Sequence, residues 1–165
     1  MDITVRGAAP EEVDAVGALS VAAYVYDGLL DLATEQGYAD QLRDAGGRAR
    51  QAEILVAVDG DGVLLGTVTF AGPGSAHRQV ARAGEAEFRM LAVDPAARRR
   101  GVAEALVHAC LDRARQAGLE RVVISSKNTM TTAHRLYTRL GFTRLPERDW
   151  SPQAGVELWA FGVGV

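Results

Sequence analysis

The sequence predicts a single α/β domain, in which a mixed, twisted sheet of about six or seven strands carries helices on both faces. Short apolar segments of strand length alternate with amphipathic helical segments in the second half of the chain. One of these strands is a continuous apolar run that follows a helix, which is typical of parallel strands covered on both faces. The chain has 165 residues, 48% hydrophobic and 24% charged, so residues 1–165 have the size and composition of one globular domain.

The first predicted elements are a short strand and a helix. Residues 3–6 have strand composition, and Pro10 then opens a helix whose apolar positions include Val13 and Val16. The stretch 28–50 is helical in part but is interrupted by glycines. We therefore expect broken helix and loop in that stretch.

A β-hairpin is predicted next. Residues 53–58 and 63–70 have strand composition and flank the sequence Asp-Gly-Asp-Gly at 59–62, which favours a tight turn. The segment 71–84 has few large apolar side chains. We expect it to be an exposed, mobile connection.

The second half of the chain alternates strands with helices. Apolar residues recur at helical spacing along two segments, and a glycine stands where each of these helices would end. The predicted elements are a strand at 87–93, a helix at 103–114, a strand at 122–124, a helix at 133–140, and closing strands at 142–145 and 156–163 around a loop at 146–152.

Charge and residue types limit the function classes. The chain has 18 basic and 21 acidic residues, a net charge of −3, which disfavours general nucleic-acid binding. No apolar run approaches the roughly 20 residues of a membrane-spanning helix, so we expect no membrane association. The first residues lack a signal-like run and Cys110 is the single cysteine, so a cytoplasmic location is expected. The histidines lack ligand spacing, so no metal site is expected, and the sequence leaves a homodimer open.

A basic turn lies between a predicted strand and a predicted helix. It contains Arg98, Arg99 and Arg100, followed by Gly101. A helix N-terminus offers unpaired N–H groups to an anion, a glycine allows close approach, and guanidinium groups add charge-assisted hydrogen bonds. An ordinary solvated turn would have the same residue types, so the residues alone leave both interpretations open.

The same segment resembles the Arg/Gln-x-x-Gly-x-Gly/Ala signature of the GNAT superfamily of N-acetyltransferases, here Arg-Arg-Arg-Gly-Val-Ala at 98–103. The preceding Leu-Ala-Val-Asp-Pro at 91–95 is similar to the family's strand before the signature. The segment Ala-His-Arg-Leu-Tyr-Thr-Arg-Leu-Gly-Phe at 133–142 resembles the family's downstream motif. The resemblance extends over residues 53–161. It implies a GNAT fold and N-acetylation with acetyl-CoA as co-substrate.

The resemblance also implies roles for particular positions. Backbone groups of Leu91 and Val93 would pair with the pantetheine arm of acetyl-CoA, and Tyr137 would place its hydroxyl near the departing sulfur. Many members have Asn where this sequence has Met130, and that role is not transferred to Asn128. The coenzyme-binding positions implied are Leu91, Ala92, Val93, Arg98, Arg99, Arg100, Gly101, Val102 and Ala103.

An ammonium acceptor must lose a proton before it attacks a thioester, so a general base is required. Glu87 is the candidate, because the family often has a carboxylate at the start of this strand that acts directly or through water. Strand alternation would place Glu87, Arg89, Leu91 and Val93 on one face. The alternatives are a surface carboxylate paired with Arg89 and, for Tyr137, an aromatic side chain that only packs on its helix.

The acceptor is the least defined part of this prediction. Tyr26 and Asp27 lie in a stretch, 24–38, whose aromatic and acidic groups could surround a cationic amine, although a solvated acidic helix face would look the same. We expect an N-acetyltransferase that works by direct attack in a ternary complex, with a small-molecule amine as acceptor. A peptide N-terminal or lysine acceptor, and a non-catalytic acyl-CoA-binding regulatory domain, stay open.

Overall fold

The structure, a computed structural model, describes residues 2–165. Its strands form a mixed, eight-stranded sheet connected by helices, so the predicted α/β class is confirmed. The sheet has more strands than predicted, because the segment expected to be a loop at 146–152 contains part of a short strand, Trp150–Gln153. No helix among residues 2–165 is long and apolar enough to cross a membrane.

The described chain divides into two units, residues 2–70 with 90–110 and residues 71–89 with 111–165. The first unit contains an antiparallel sheet of β1 (Thr4–Gly7), β2 (Glu53–Val58) and β3 (Leu64–Ala71). The Asp59 carboxylate accepts the backbone N–H groups of Asp61 and Val63, each at 2.9 Å. These bonds close the turn between β2 and β3, and the predicted hairpin is confirmed.

The helices of the first unit are α1 (Val13–Tyr26), α2 (Gln36–Arg43) and α3 (Ala45–Arg48), with a 3₁₀ turn before α1 at Pro10–Glu12. Gly17 of α1 is buried, and a Cβ there would overlap the backbone carbonyl of Arg43. The glycine therefore allows α1 to approach the end of α2 closely. One buried core cluster consists of Val16, Ala45, Ile54, Val56 and Val58.

The second unit is built around three long elements. These are β5 (Arg121–Lys127), β8 (Val156–Gly164) and the start of β4 (Glu85–Val93), and β5 pairs parallel with β4 and antiparallel with β8. The parallel pairing predicted for the apolar strand is confirmed. The remaining elements are α4 (Val102–Gln116), which like β4 contributes residues to both units, α5 (Thr131–Arg139), β6 (Thr143–Arg144) and β7 (Trp150–Gln153).

The segment 71–84 differs from the exposed connection expected from its composition. Several of its residues are half-buried, among them His77, Arg78 and Val80. The backbone N–H groups of residues 79–81 all donate hydrogen bonds to one carboxylate oxygen of Glu87. The segment lacks apolar anchors, but it is held by polar contacts that composition does not reveal.

Candidate active site

Strand β4 contains a residue with left-handed backbone conformation, Met90, whose φ is 57°. A non-glycine residue rarely adopts this region, so the backbone of β4 is strained at this point. Burial along β4 nevertheless alternates as expected from Phe88 onward: Arg89, Leu91 and Val93 are half-buried, whereas Ala92 is 4% exposed within a core cluster. Glu87 departs from this pattern because it is itself buried.

The basic turn has the backbone of an anion-binding loop. Arg99 and Gly101 both have left-handed φ values, 63° and 77°, and α4 begins at Val102. Successive N–H groups in such a turn form a concave site for an anion, next to the positive end of the helix dipole. Gly101 is exposed, with open space where a Cβ would stand. The turn can therefore admit a phosphate group close to the backbone.

Arg98 makes a different set of contacts from those expected of a phosphate ligand. Its guanidinium donates to both carboxylate oxygens of Asp27, at 3.0 and 2.9 Å, and to the carbonyl oxygen of Val93, at 3.2 and 3.0 Å. The ring of Tyr26 lies 5.9 Å from the guanidinium carbon and is 71% exposed. Arg98 thus joins the end of α1 to the end of β4, next to the basic turn.

Glu87 is fully buried, with 0% of its surface exposed. Its Oε1 accepts backbone N–H groups from Gln79, Val80 and Ala81 at 2.9, 2.8 and 3.0 Å. Its Oε2 is buried and has no hydrogen-bond partner among residues 2–165. Burial raises the pKa of Glu87, and the N–H groups with the charge of Arg89 only partly oppose this shift. The environment is that of a tuned carboxylate, unlike a surface residue.

Two residues before Glu87 lies a second buried carboxylate, Glu85. It forms a bidentate pair with Arg148 at 2.6 and 3.1 Å, and its Oε1 accepts the backbone N–H of Arg82 at 2.9 Å. Burial raises the pKa of Glu85, but the hydrogen bonds from Arg148 and Arg82, together with the charges of Arg148 and Arg121, outweigh it, so the net shift is downward. Glu85 is therefore held as the charged partner of Arg148. Sequence spacing gave no signal for this pair.

Tyr137 lies on α5 and is 5% exposed. Its ring packs at centroid distances of 5.9 Å from Phe88, 5.6 Å from Phe142 and 6.0 Å from Phe161. Aromatic packing therefore fixes the position of the ring. This agrees with the interpretation of Tyr137 as a purely packing residue, and it would equally hold the hydroxyl group in a fixed position for catalysis. Met130 lies immediately before α5.

Sequence reasoning also missed a polar pair at the end of β5. His134 of α5 lies with its Nε2 3.2 Å from the Ser126 hydroxyl, and its ring stacks on Trp159 at 5.6 Å. Burial lowers the pKa of His134, a backbone hydrogen bond with Lys127 opposes the shift, and the charge of Arg144 adds to it. The pair holds α5 against β5 and β8. Residues 2–165 contain no cluster of ligands that could hold a metal ion.

A mixed sheet, a basic turn with two left-handed residues and a helix that begins directly after that turn define an α/β protein with an anion-binding loop at a helix N-terminus. Comparison with known proteins identifies the family. The chain belongs to the acetyltransferase (GNAT) family, whose pattern matches residues 22–142. The family predicted from the sequence is confirmed, and so is acetyl-CoA as the co-substrate of this family.

Relatives and solved structures agree with this assignment. The chain is 34% identical over 149 residues to a mycothiol acetyltransferase of Sanguibacter keddieii, covering 86% of this chain and 44% of that protein. It resembles a PaiA N-acetyltransferase of Thermoplasma acidophilum in complex with coenzyme A, with a TM-score of 0.77, 13% identity and 100% of both chains covered. It also resembles a GCN5-related N-acetyltransferase of Kribbella flavida, with a TM-score of 0.64, 27% identity and 99% and 98% covered. The chain spans less than half the length of the mycothiol acetyltransferases that it matches.

Proposed function

We propose that this chain transfers the acetyl group of acetyl-CoA to a primary amine by direct attack in a ternary complex, with a small molecule as acceptor. The observation that carries the proposal is the turn in which Arg99 and Gly101 adopt left-handed conformations directly before α4. That backbone suits a pyrophosphate, and it coincides with the signature of the family. The supporting observation is the buried, polarised carboxylate of Glu87.

In this proposal the coenzyme binds through backbone and charge. The half-buried Leu91 and Val93 supply backbone groups to the pantetheine arm, and Ala92 packs in the core to hold the strand. N–H groups of residues 99–103 receive the pyrophosphate, and Arg99 and Arg100 add charge. Arg98 keeps its contacts with Asp27 and Val93 and so supports the turn.

The chemistry requires two proton movements. Glu87 takes a proton from the acceptor ammonium, directly or through water, and the amine nitrogen then attacks the thioester carbonyl carbon. The new C–N bond forms, the C–S bond breaks, and the second proton of the nitrogen passes to solvent. Tyr137 donates a hydrogen bond or proton to the departing thiolate and recovers a donated proton from solvent. The products are the acetylated amine and the free thiol of coenzyme A.

The acceptor is assigned by class. The pair of Asp27 with Arg98 neutralises the carboxylate that the sequence offered to a cationic amine, so contact of Tyr26 and Asp27 with the acceptor stays a prediction. A mycothiol acetyltransferase among the relatives supports an amine-bearing small molecule over a peptide. A cytoplasmic location is likewise proposed from the sequence.

A thiol-release assay with acetyl-CoA tests the proposal. The acceptor panel should contain small amines, polyamines, aminoglycosides, the acceptor of mycothiol acetyltransferases and peptides with free N-termini. We expect coenzyme A release with at least one small amine and none with the peptides. Binding of acetyl-CoA without turnover on any acceptor would favour the regulatory alternative.

A further inference from the structure

Glu87 is covered by a loop that contacts only one of its two carboxylate oxygens. The N–H groups of Gln79, Val80 and Ala81 all donate to Oε1, whereas Oε2 has no partner among the described residues. Three donors on one oxygen stabilise its negative charge and leave it little capacity to accept a proton. Oε2 is therefore the oxygen that can exchange a proton.

The covering loop, residues 78–82, is held by side chains outside it. The Nη1 group of Arg148 donates a hydrogen bond to the carbonyl oxygen of Val80 at 3.4 Å, and Arg148 also forms the bidentate pair with Glu85. Glu85 in turn accepts the N–H of Arg82 through Oε1. Arg78 donates to the carbonyl oxygens of Arg82 at 3.3 Å and Glu85 at 3.2 Å, which closes the loop on itself.

We propose that the Glu85–Arg148 ion pair positions the loop 78–82 over Glu87, which makes Glu85 and Arg148 positioning residues for the carboxylate that acts as base. This inference rests on the proposed function. Val80 is the physical link, because its N–H contacts Glu87 while its carbonyl oxygen contacts Arg148. That carbonyl shares its peptide group with the N–H of Ala81, which also donates to Oε1, so displacement of Val80 would withdraw donors from Oε1.

A contribution to stability alone does not explain this pair well. Both side chains are almost fully buried, at 9% and 8% exposed, and a buried ion pair typically gains little over apolar residues of the same volume. A role in positioning gives a reason for its burial. The charge that acts on the carboxyl group of Glu87 is that of Arg89. The neighbouring charged groups are Glu85 of the same strand, Arg78 and Arg82 of the loop, and Arg121 and Arg148, which both pair with Glu85.

The expected effect on the reaction has a definite sign. Donors on Oε1 favour the ionised carboxylate, so a loosened loop raises the pKa of Glu87 further. A base must be ionised to work, and each unit of upward shift lowers its ionised fraction about tenfold at pH values below the pKa. The rate should therefore fall at low pH and recover at high pH. The Michaelis constant for acetyl-CoA should not change.

The test removes both charges together, so that no unpaired charge is left buried. In the double variant Glu85→Gln with Arg148→Met, Gln keeps an oxygen for the Arg82 N–H while the contact with Val80 is lost. The matched control is Arg6→Met with Glu12→Gln, a second bidentate pair whose Glu also accepts a backbone N–H, that of Ala9 at 2.8 Å. Should the double variant fail to fold, Arg148→Lys keeps the charge and loses the bidentate geometry.

Two readouts are independent of turnover: amide hydrogen exchange of residues 79–81, and an infrared titration of the Glu87 carboxyl group identified by subtraction of Glu87→Gln. We expect at least tenfold faster exchange and an upward-shifted titration, with the acid limb of the rate profile moving equally. Unchanged exchange and titration would overturn the positioning role. A shifted titration with an unchanged rate profile would instead overturn the base role of Glu87, so the two failures are distinguishable.

Discussion

The two oxygens of Glu87 have different surroundings, and this asymmetry defines its chemistry. Oε1 is held by the loop, and Oε2 is buried without a partner among residues 2–165. Burial raises the pKa of Glu87 in the folded protein. The free energy of unfolding therefore decreases as the pH rises above the ordinary pKa of a carboxyl group, because the unfolded chain ionises more readily. A catalytic base is one reason for a protein to keep such a destabilising group.

Replacement of Glu87 by Gln should lower turnover by about 100-fold or more, because Gln keeps the shape and cannot accept the proton. Wild-type turnover should rise with pH through the pKa of Glu87, and that limb should disappear in the variant. Steady-state rates from pH 5 to 9 and calorimetry with coenzyme A measure both effects. Coenzyme affinity should stay unchanged, and Glu147→Gln, an exposed residue of the same unit, is the control. Normal turnover in Glu87→Gln would show that another group acts as base.

Replacement of Asp27 tests whether its contact with Arg98 supports coenzyme binding. Because it holds Arg98 beside the basic turn, Asp27→Asn should raise the Michaelis constant for acetyl-CoA by about tenfold, the equivalent of roughly 1.4 kcal/mol. A rise in the constant for the amine alone would instead support the acceptor contact inferred from sequence. Asp14→Asn, an exposed carboxylate of α1 outside the stretch 24–38, is the matched control.

At the level of elements, an ion pair closes the 3₁₀ turn that precedes α1. Glu12 accepts the N–H of Ala9 and pairs with Arg6 at 2.7 Å. The hydrogen bonds from Arg6 and then Ala9 lower the pKa of Glu12 to about 2, burial opposes this shift, and the charge of Arg6 adds to it. A lowered pKa in the folded state stabilises the protein above the ordinary pKa of the carboxyl group.

This stabilisation should be lost as the pH falls from about 4.5 towards 2, because protonation of Glu12 then breaks the pair. Glu12→Gln should be less stable than wild type at pH 7, and the difference should shrink with falling pH. Urea unfolding at several pH values measures it. Glu11→Gln, an exposed neighbour, should follow the wild-type curve. An unchanged gap between wild type and Glu12→Gln at pH 2.5 and pH 7 would contradict this account.

The contact between α1 and α2 depends on the absence of a side chain at Gly17. A Cβ there would overlap the backbone carbonyl of Arg43, and backbone cannot move aside as a flexible side chain can. We expect Gly17→Ala to destabilise the fold by about 1–3 kcal/mol despite the better helix propensity of Ala. Thermal unfolding measures it. Gly37→Ala in α2, where a Cβ meets nothing within 4 Å, should be neutral or stabilising.

At the level of the whole molecule, binding of the co-substrate should stabilise the fold. Coenzyme A at 100 times its dissociation constant should add about 2.7 kcal/mol to the free energy of unfolding by mass action. A thermal shift with coenzyme A, repeated with Arg99→Ala and Arg100→Ala together, measures the effect. The double variant should bind more weakly and with a flatter salt dependence, because phosphate contacts are lost. An unchanged affinity would exclude the basic turn as the pyrophosphate site.

The sequence by itself determined the features that local rules encode. The Asp-Gly repeat at 59–62 specified the hairpin, and helical and strand periodicities located α4, α5, β4 and β5 within a few residues. The segments at 91–95, 98–103 and 133–142 identified the family, because each is a short motif with its own backbone requirement. Residues close in sequence satisfy these requirements largely among themselves.

Only the tertiary structure decided how the candidate site is held. Arg98 meets Asp27 across 71 residues of sequence and Arg148 meets Glu85 across 63, and spacing contains no information about such pairs. The left-handed backbone of Met90 and the burial of Glu87 could not be predicted from sequence either, because Met rarely adopts a positive φ and Glu is rarely buried. A buried charge and a strained strand residue persist because contacts from distant segments compensate for their cost, and the fold alone brings those segments together.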